Sequence, residues 1–171
     1  MPYASVNDLR LYYEIDGPVS DETILFISGL GVDHKGWNNI SPTLARHYRT
    51  ITFDNRDVGL SQRCSKQYGI ADMAKDTNDI LEHLGISKVN IVGISMGGAI
   101  AQELSISFPQ MVNRLVLLST YTHGDLRGNA LFRGFLKARG LLEREDYINL
   151  TMPWLYSHND YQIPMLIDKL R

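Results

Sequence analysis

The sequence has a single cysteine and no long uninterrupted apolar segment. Cys64 cannot form a disulfide within the printed chain, and a lone thiol is typical of a reducing compartment. No stretch of ~18 uncharged apolar residues is present, which argues against a membrane-spanning helix. The first residues lack a basic segment followed by an apolar one, so no signal peptide is predicted. These absences predict a cytoplasmic protein without a membrane partner.

Strong charge of either sign is also absent. The formal net charge is −2 at pH 7, and the basic residues are dispersed. Nucleic acids and anionic membranes are bound by concentrated basic surfaces, so no nucleic-acid partner is predicted. None of the five histidines stands at a common metal-binding spacing, so no metal is predicted.

Glycine motifs of cofactor-binding folds are incomplete. A phosphate-binding P-loop needs Gly-Lys-Ser/Thr, whereas Ala99 and Ile100 follow Gly98. A dinucleotide fingerprint beginning at Gly29 needs a glycine at position 34, which is His34. The sequence therefore predicts no cofactor.

Strands and helices alternate along the first part of the chain. Two segments rich in Tyr, Val and Leu flank Asn7-Asp8 and predict a β-hairpin, at 3–6 and 9–16. Continuous apolar segments, typical of strands buried on both faces, occur at 23–27, 50–53, 89–92 and 115–118. Helices are predicted at 42–48, 70–84 and 96–108. This order predicts an α/β fold with a mostly parallel sheet and helices on both faces.

The alternation stops after Ser119. Short helical segments carrying aromatic residues are predicted beyond it, at 130–138, from 146 to 150 onward, and at 163–170. We therefore predict an α/β core at 1–124 and a partial helical cap at 125–171.

Residues 93–97, Gly-Ile-Ser-Met-Gly, match the pattern G-x-S-x-G. The pattern alone is weak, but here it joins a predicted strand to a predicted helix, which is the setting of a nucleophile elbow. The serine of such a turn has a strained backbone, and side chains beside it would clash. Ser95 is therefore the predicted nucleophile, with Gly93 and Gly97 supporting the turn. The Met96 N–H, at the helix N-terminus, can hold a developing negative charge.

With this motif, residues 3–120 resemble the α/β-hydrolase superfamily, especially its esterases, lactonases and cofactor-free haloperoxidases. Residues 28–31, Ser-Gly-Leu-Gly, resemble the family's His-Gly-x-Gly loop, with Ser28 in place of histidine. The resemblance implies that the Leu30 N–H is the second oxyanion donor and that Gly29 and Gly31 support the turn.

Residues 54–61 resemble the family's D-x-R-G-x-G-x-S loop, with Asp57 where glycine is usual. The resemblance implies a structural loop in which Asp54 and Arg56 orient backbone.

The resemblance implies a serine hydrolase that acts on a small carboxylic ester or lactone through an acyl-enzyme on Ser95. The aromatic cap favours a fairly apolar substrate group. Two alternatives remain open: a non-catalytic ligand-binding protein on the same fold, and a cofactor-free haloperoxidase or C–C bond hydrolase. The oligomeric state is not predicted.

The sequence shows no position for the rest of a catalytic triad. In this fold the acid and the histidine follow later strands, and no buried strand is predicted after 115–118. We expect both residues to lie outside this chain, as in an apparent fragment, and the 171-residue chain alone to be inactive. His34 is interpreted as a loop or pocket-wall residue, and His123 and His158 are weak alternatives as a base. The strand at 115–118 is expected to be an exposed, aggregation-prone edge.

Overall fold

The computed structural model describes residues 2–19 and 22–155. Six strands form one sheet in the order β1-β2-β4-β3-β5-β6. The first two strand pairs in this order are antiparallel and the other three are parallel, which confirms the predicted, mostly parallel sheet. The strands are β1 Tyr3–Val6, β2 Leu9–Asp16, β3 Thr23–Ile27, β4 Arg49–Phe53, β5 Val89–Ile94 and β6 Val112–Leu118.

Five α-helices are present in the described residues: α1 Ser41–Leu44, α2 Ile70–His83, α3 Met96–Ser107, α4 Leu126–Arg139 and α5 Arg144–Thr151. Three short 3-10 helices accompany them, at His34–Trp37, Pro109–Met111 and Met152–Trp154. The helix predicted at 163–170 lies outside the described residues.

Two elements, β6 and α4, begin well before their predicted starts. β6 starts at Val112, because Val112 and Arg114 pair with Val89 and Asn90 of β5 although the polar residues Asn113 and Arg114 interrupt the apolar pattern. Helix α4 starts at Leu126, where the Asp125 side chain accepts a hydrogen bond from the Gly128 N–H at 2.6 Å. An N-cap aspartate therefore marks the start of a helix that apolar spacing placed later.

The core lies where α2 and α3 pack together and against the sheet. Ile80 and Leu81 of α2, and Ile100 and Leu104 of α3, are completely buried in one cluster with residues of every strand except β6. Each such side chain contributes about 1.5–3 kcal/mol when it is removed from water. This packing fixes the start of α3 relative to the sheet.

The central strands determine which loops lie side by side. β3 and β5 are parallel neighbours, with Ile27 paired with Gly93. The segments that follow these two strands therefore leave the same edge of the sheet next to each other. They carry the glycine-rich residues 28–31 and the serine motif.

The chain divides into two compact units between Thr122 and His123. In the second unit, Phe135 makes edge-to-face contacts with Phe132 and Trp154, each with ring centroids 6.3 Å apart. The division into a core domain at 1–124 and a cap at 125–171 remains a prediction. Among the described residues, no helix has both the length and the apolarity required to cross a membrane.

Strand β6 exposes apolar residues at the edge of the sheet. Within the described ranges it pairs only with β5. Val116, Leu117 and Leu118 are 48%, 41% and 36% exposed. An apolar strand with an unpaired edge is a template for pairing with another chain.

Replacing Val116 by Lys should increase the soluble, monomeric fraction of the 171-residue chain, because a charged side chain opposes pairing at this edge. Size-exclusion chromatography with light scattering measures that fraction. Val19→Lys is the matched control, since Val19 is 99% exposed but lies outside the sheet. Equal effects of the two substitutions, or a wild-type chain that is already monomeric and soluble, would contradict the expectation.

Candidate active site

Ser95 occupies a strained backbone conformation between β5 and α3. Its φ is 54° and its ψ is −121°, a combination that residues with a side chain rarely adopt. The Ser95 N–H donates to the Leu118 carbonyl at 2.9 Å. The Ser95 carbonyl accepts hydrogen bonds from the Gly98 N–H at 3.0 Å and from the Thr120 hydroxyl at 2.7 Å. The end of β6 and the residues after it therefore hold the strained turn in place.

The glycines around Ser95 are required by space. A Cβ on Gly93 would lie 2.5 Å from the Gly97 carbonyl oxygen, and a Cβ on Gly97 would collide with the Ile27 carbonyl. A Cβ on Gly98 would lie 2.5 Å from the Thr120 Cβ. This contact was not predictable from the sequence, because residues 98 and 120 belong to different segments and neither breaks a local pattern.

The loop after β3 lies directly against the serine. A Cβ on Gly29 would be 3.3 Å from the Ser95 Cβ and 3.8 Å from its Oγ. Gly31 has open space around it but a φ of +72°, so its conformation and not its surroundings favours glycine. The structure thus brings the predicted loop and the predicted elbow together.

The backbone N–H groups of Leu30 and Met96 have no acceptor among the described residues. Leu30 is 66% exposed, and Met96 is the first residue of α3. The first N–H groups of a helix lack intrahelical partners and favour negative charge. Both groups are therefore available to an anionic atom.

Buried hydrogen bonds close the loop that carries Leu30. The Trp37 Nε1–H donates to the Ser28 Oγ at 2.9 Å, and both residues are buried. The Ser28 hydroxyl also lies 3.4 Å from the Asp33 carbonyl, to which it donates. Serine in place of the family's histidine therefore still supports the loop. Sequence analysis did not single out Trp37, although a buried indole generally needs an acceptor.

Asp54, the residue that follows the neighbouring strand β4, fixes the same loop. One oxygen of this fully buried carboxylate accepts the His34 N–H at 2.6 Å and lies 2.8 Å from the His34 Nδ1. The other oxygen accepts the Leu60 N–H at 2.8 Å. The prediction that Asp54 orients backbone is confirmed.

A family model described as alpha/beta hydrolase fold matches residues 22–156. The chain belongs to the α/β-hydrolase family. This membership confirms the resemblance found in the sequence.

Named relatives span several reactions. The chain is 35% identical over 114 residues to a putative non-heme bromoperoxidase of Mycobacterium tuberculosis, covering 66% of this chain and 42% of that protein. It is 33% identical over 150 residues to a putative carbamate hydrolase of Variovorax paradoxus, covering 86% and 56%. The solved enol-lactonase of Burkholderia xenovorans superimposes with a TM-score of 0.87 at 25% identity, covering 99% of this chain and 65% of that one. The chain thus spans about half the length of these two curated relatives.

Arg56, in the 54–61 loop of this α/β hydrolase, has a partner different from the predicted one. The Arg56 Nε donates to the Asp76 carboxylate at 2.7 Å, and both side chains are buried. The prediction that Arg56 orients backbone is therefore wrong, since its hydrogen bonds are to the side chains of Asp76 on α2 and of Cys64.

Asp57 stands where the family usually has glycine, and its φ of 66° shows why glycine suits this position. Its carboxylate accepts the Cys64 N–H at 2.7 Å. Burial raises the pKa of Asp57, but hydrogen bonds from the Tyr68 hydroxyl and the Cys64 N–H outweigh it, so the pKa is lowered overall. Burial and the bond to Asp57 raise the pKa of Tyr68 to about 12. Asp57 therefore connects the 54–61 loop to Cys64 and Tyr68, which follow it in the chain.

The described histidines of the first unit do not complete a triad with Ser95. The two ring nitrogens of His34 face carboxylates, with Nδ1 at 2.8 Å from Asp54 and Nε2 at 3.4 Å from Glu14. His47 and His83 are exposed near the ends of surface helices. His158 lies outside the described residues.

Gly97→Ala should destabilise the α/β-hydrolase core by about 3 kcal/mol or more, because the added methyl group has no space beside the Ile27 carbonyl. Urea unfolding followed by circular dichroism measures the change. Gly69→Ala is the control: nothing lies within 4 Å of its added Cβ, and at a helix N-cap we expect a cost below about 1 kcal/mol. Similar unfolding midpoints for both variants would refute the close approach of α3 to β3.

Proposed function

We propose that this chain carries the nucleophile and the oxyanion hole of a serine hydrolase acting on a small carboxylic ester or lactone. The observation that carries the proposal is the strained Ser95, positioned against a loop whose Leu30 N–H, like the Met96 N–H, has no acceptor among the described residues. A half-buried serine beside two available backbone donors is the arrangement that acyl transfer requires.

The proposed reaction proceeds through an acyl-enzyme. The Ser95 Oγ attacks the carbonyl carbon while a general base takes its proton, and the carbonyl oxygen becomes an oxyanion. The Leu30 and Met96 N–H groups stabilise that oxyanion, and loss of one side-chain oxyanion donor costs about 3–4 kcal/mol in a serine protease. Collapse of the intermediate breaks the bond to the alcohol oxygen, which leaves with a proton from the base. Water then attacks the acyl-enzyme by the same route and releases the acid.

We propose that the histidine base and its acid are supplied by residues outside the printed chain. The two carboxylates that flank His34 and the exposure of His47 and His83 support this proposal. On this proposal, the 171-residue chain alone lacks turnover. The absence of a dense basic segment favours a small-molecule substrate over a nucleic acid.

The names of relatives support a carbonyl substrate and leave a second candidate. The enol-lactonase and the putative carbamate hydrolase are both named for an acyl carbon bonded to a heteroatom. The putative bromoperoxidase favours a cofactor-free haloperoxidase as the second candidate. If Ser95 proves unreactive, the remaining alternative is a non-catalytic ligand-binding protein on the same fold.

Ser95 should react with a fluorophosphonate once a base is supplied. Attack by Oγ forms the oxygen–phosphorus bond, fluoride leaves, and added imidazole accepts the proton that a catalytic histidine would take. We expect intact-mass spectrometry of the 171-residue chain to show one adduct whose formation imidazole accelerates.

Two substitutions test the identity of the nucleophile. Ser95→Ala should abolish the adduct, whereas Ser107→Ala, which removes an exposed hydroxyl near the other end of α3, should retain it. If the folded wild-type chain forms no adduct even when imidazole is present, the proposed nucleophile is refuted. An adduct that persists in Ser95→Ala would place the reactive group elsewhere.

A further inference from the structure

We propose that Ser28 is a positioning residue of the oxyanion hole, acting through its buried hydrogen bond with Trp37. The inference rests on the proposed function, because it concerns how the Leu30 N–H is held for that reaction. Ser28 does not itself contact the reacting atoms in this account. It determines where the next residues of the chain lie.

Trp37 provides a rigid attachment point for the loop. Its ring lies 4.9 Å from the ring of Phe26, centroid to centroid, and Phe26 is a fully buried residue of β3. Trp37 itself is 4% exposed. An indole held by packing in this way points its Nε1–H in a fixed direction, and that direction is the Ser28 Oγ at 2.9 Å.

Ser28 connects Trp37 to other residues of the loop through hydrogen bonds. Its hydroxyl is both acceptor for Trp37 and donor to the Asp33 carbonyl, while its own carbonyl accepts from the Asn55 side chain at 3.4 Å. The segment from 28 to 37 is therefore tied at its beginning, its middle and its end by one side chain. Leu30 lies inside the tied segment and has no side-chain anchor, since the residue is 66% exposed.

The tied segment passes directly beside the nucleophile. Gly29, covalently next to Ser28, lies so close to Ser95 that an added Cβ would be 3.3 Å from the serine Cβ. A movement of Ser28 therefore moves the Leu30 N–H relative to Ser95. Misplacement of a catalytic group by about 1 Å can cost about 100-fold in rate.

Ser28→Ala removes the acceptor and leaves the Trp37 Nε1–H buried without a partner. We expect the maximal rate of fluorophosphonate labelling at Ser95, measured with saturating imidazole, to fall about tenfold or more. The concentration of probe that gives half of that rate should change little, because Ser28 is buried and out of reach of the probe. Ser28→Thr keeps the hydroxyl and should restore most of the rate.

A double-mutant cycle separates positioning from a general loss of packing. Trp37→Phe removes the N–H donor and keeps an aromatic ring against Phe26. If the bond acts as proposed, Ser28→Ala combined with Trp37→Phe should be no slower than the slower single variant. Multiplication of the two single losses would show that the residues act independently and would overturn the inference.

An exchange measurement tests the same bond without any reaction. In a Trp154→Phe background, Trp37 is the single tryptophan, and its indole N–H gives one nuclear magnetic resonance signal. Ser28→Ala should speed hydrogen exchange of this N–H and of the Val32 amide, which donates to the Gly29 carbonyl at 3.3 Å.

The outcomes separate the two proposals. Unchanged exchange in Ser28→Ala, or unchanged labelling of a folded Ser28→Ala chain, overturns the positioning role while the nucleophile stands. Absence of labelling in the folded wild type overturns the proposed function, and with it the role of Ser28 in that reaction. In that case, faster exchange would identify Ser28 only as a structural support of the loop.

Discussion

The close approach of three backbone segments determines the site: the end of β3, the end of β5 and the first turn of α3. Parallel pairing places Ile27 beside Gly93. Gly97 then packs against the carbonyl of Ile27 with no space for a side chain. This contact forces the chain to turn sharply at Ser95, and the positive φ of that serine is the result. Because the turn is tight, the first residue of α3 and the loop after β3 both lie next to Ser95.

The loop beside Ser95 needs support of its own, since two of its residues are glycines. Buried charged and polar side chains provide that support. The buried Asp54 binds the His34 backbone and ring, and Ser28 binds the Trp37 indole. Buried polar groups are costly unless they are satisfied, so each pair favours one arrangement of the loop over others. The exposed face of the loop can therefore present a free N–H without losing its position.

Much of this arrangement was predictable from local sequence. Apolar segments and helical spacing locate the sheet and the helices, and the strand–turn–helix context identifies Ser95. Contacts between distant segments were not predictable in this way. The pairing of Gly98 with Thr120, of Ser28 with Trp37 and of Arg56 with Asp76 depends on which side chains the fold brings together. Neither periodicity nor motif spacing encodes these distances. The prediction for Arg56 was wrong for this reason, because the motif gives the residue type but not its partner on α2.

The most direct test of the account is a crystal structure of the chain with a phosphonate bound covalently to Ser95. The account predicts one phosphonyl oxygen 2.7–3.1 Å from both the Leu30 and Met96 backbone nitrogens, as expected for an oxyanion hole. It also predicts the Trp37 indole still bonded to Ser28. A phosphonyl oxygen directed into solvent, or held by groups other than these two N–H donors, would contradict the proposed arrangement of the site.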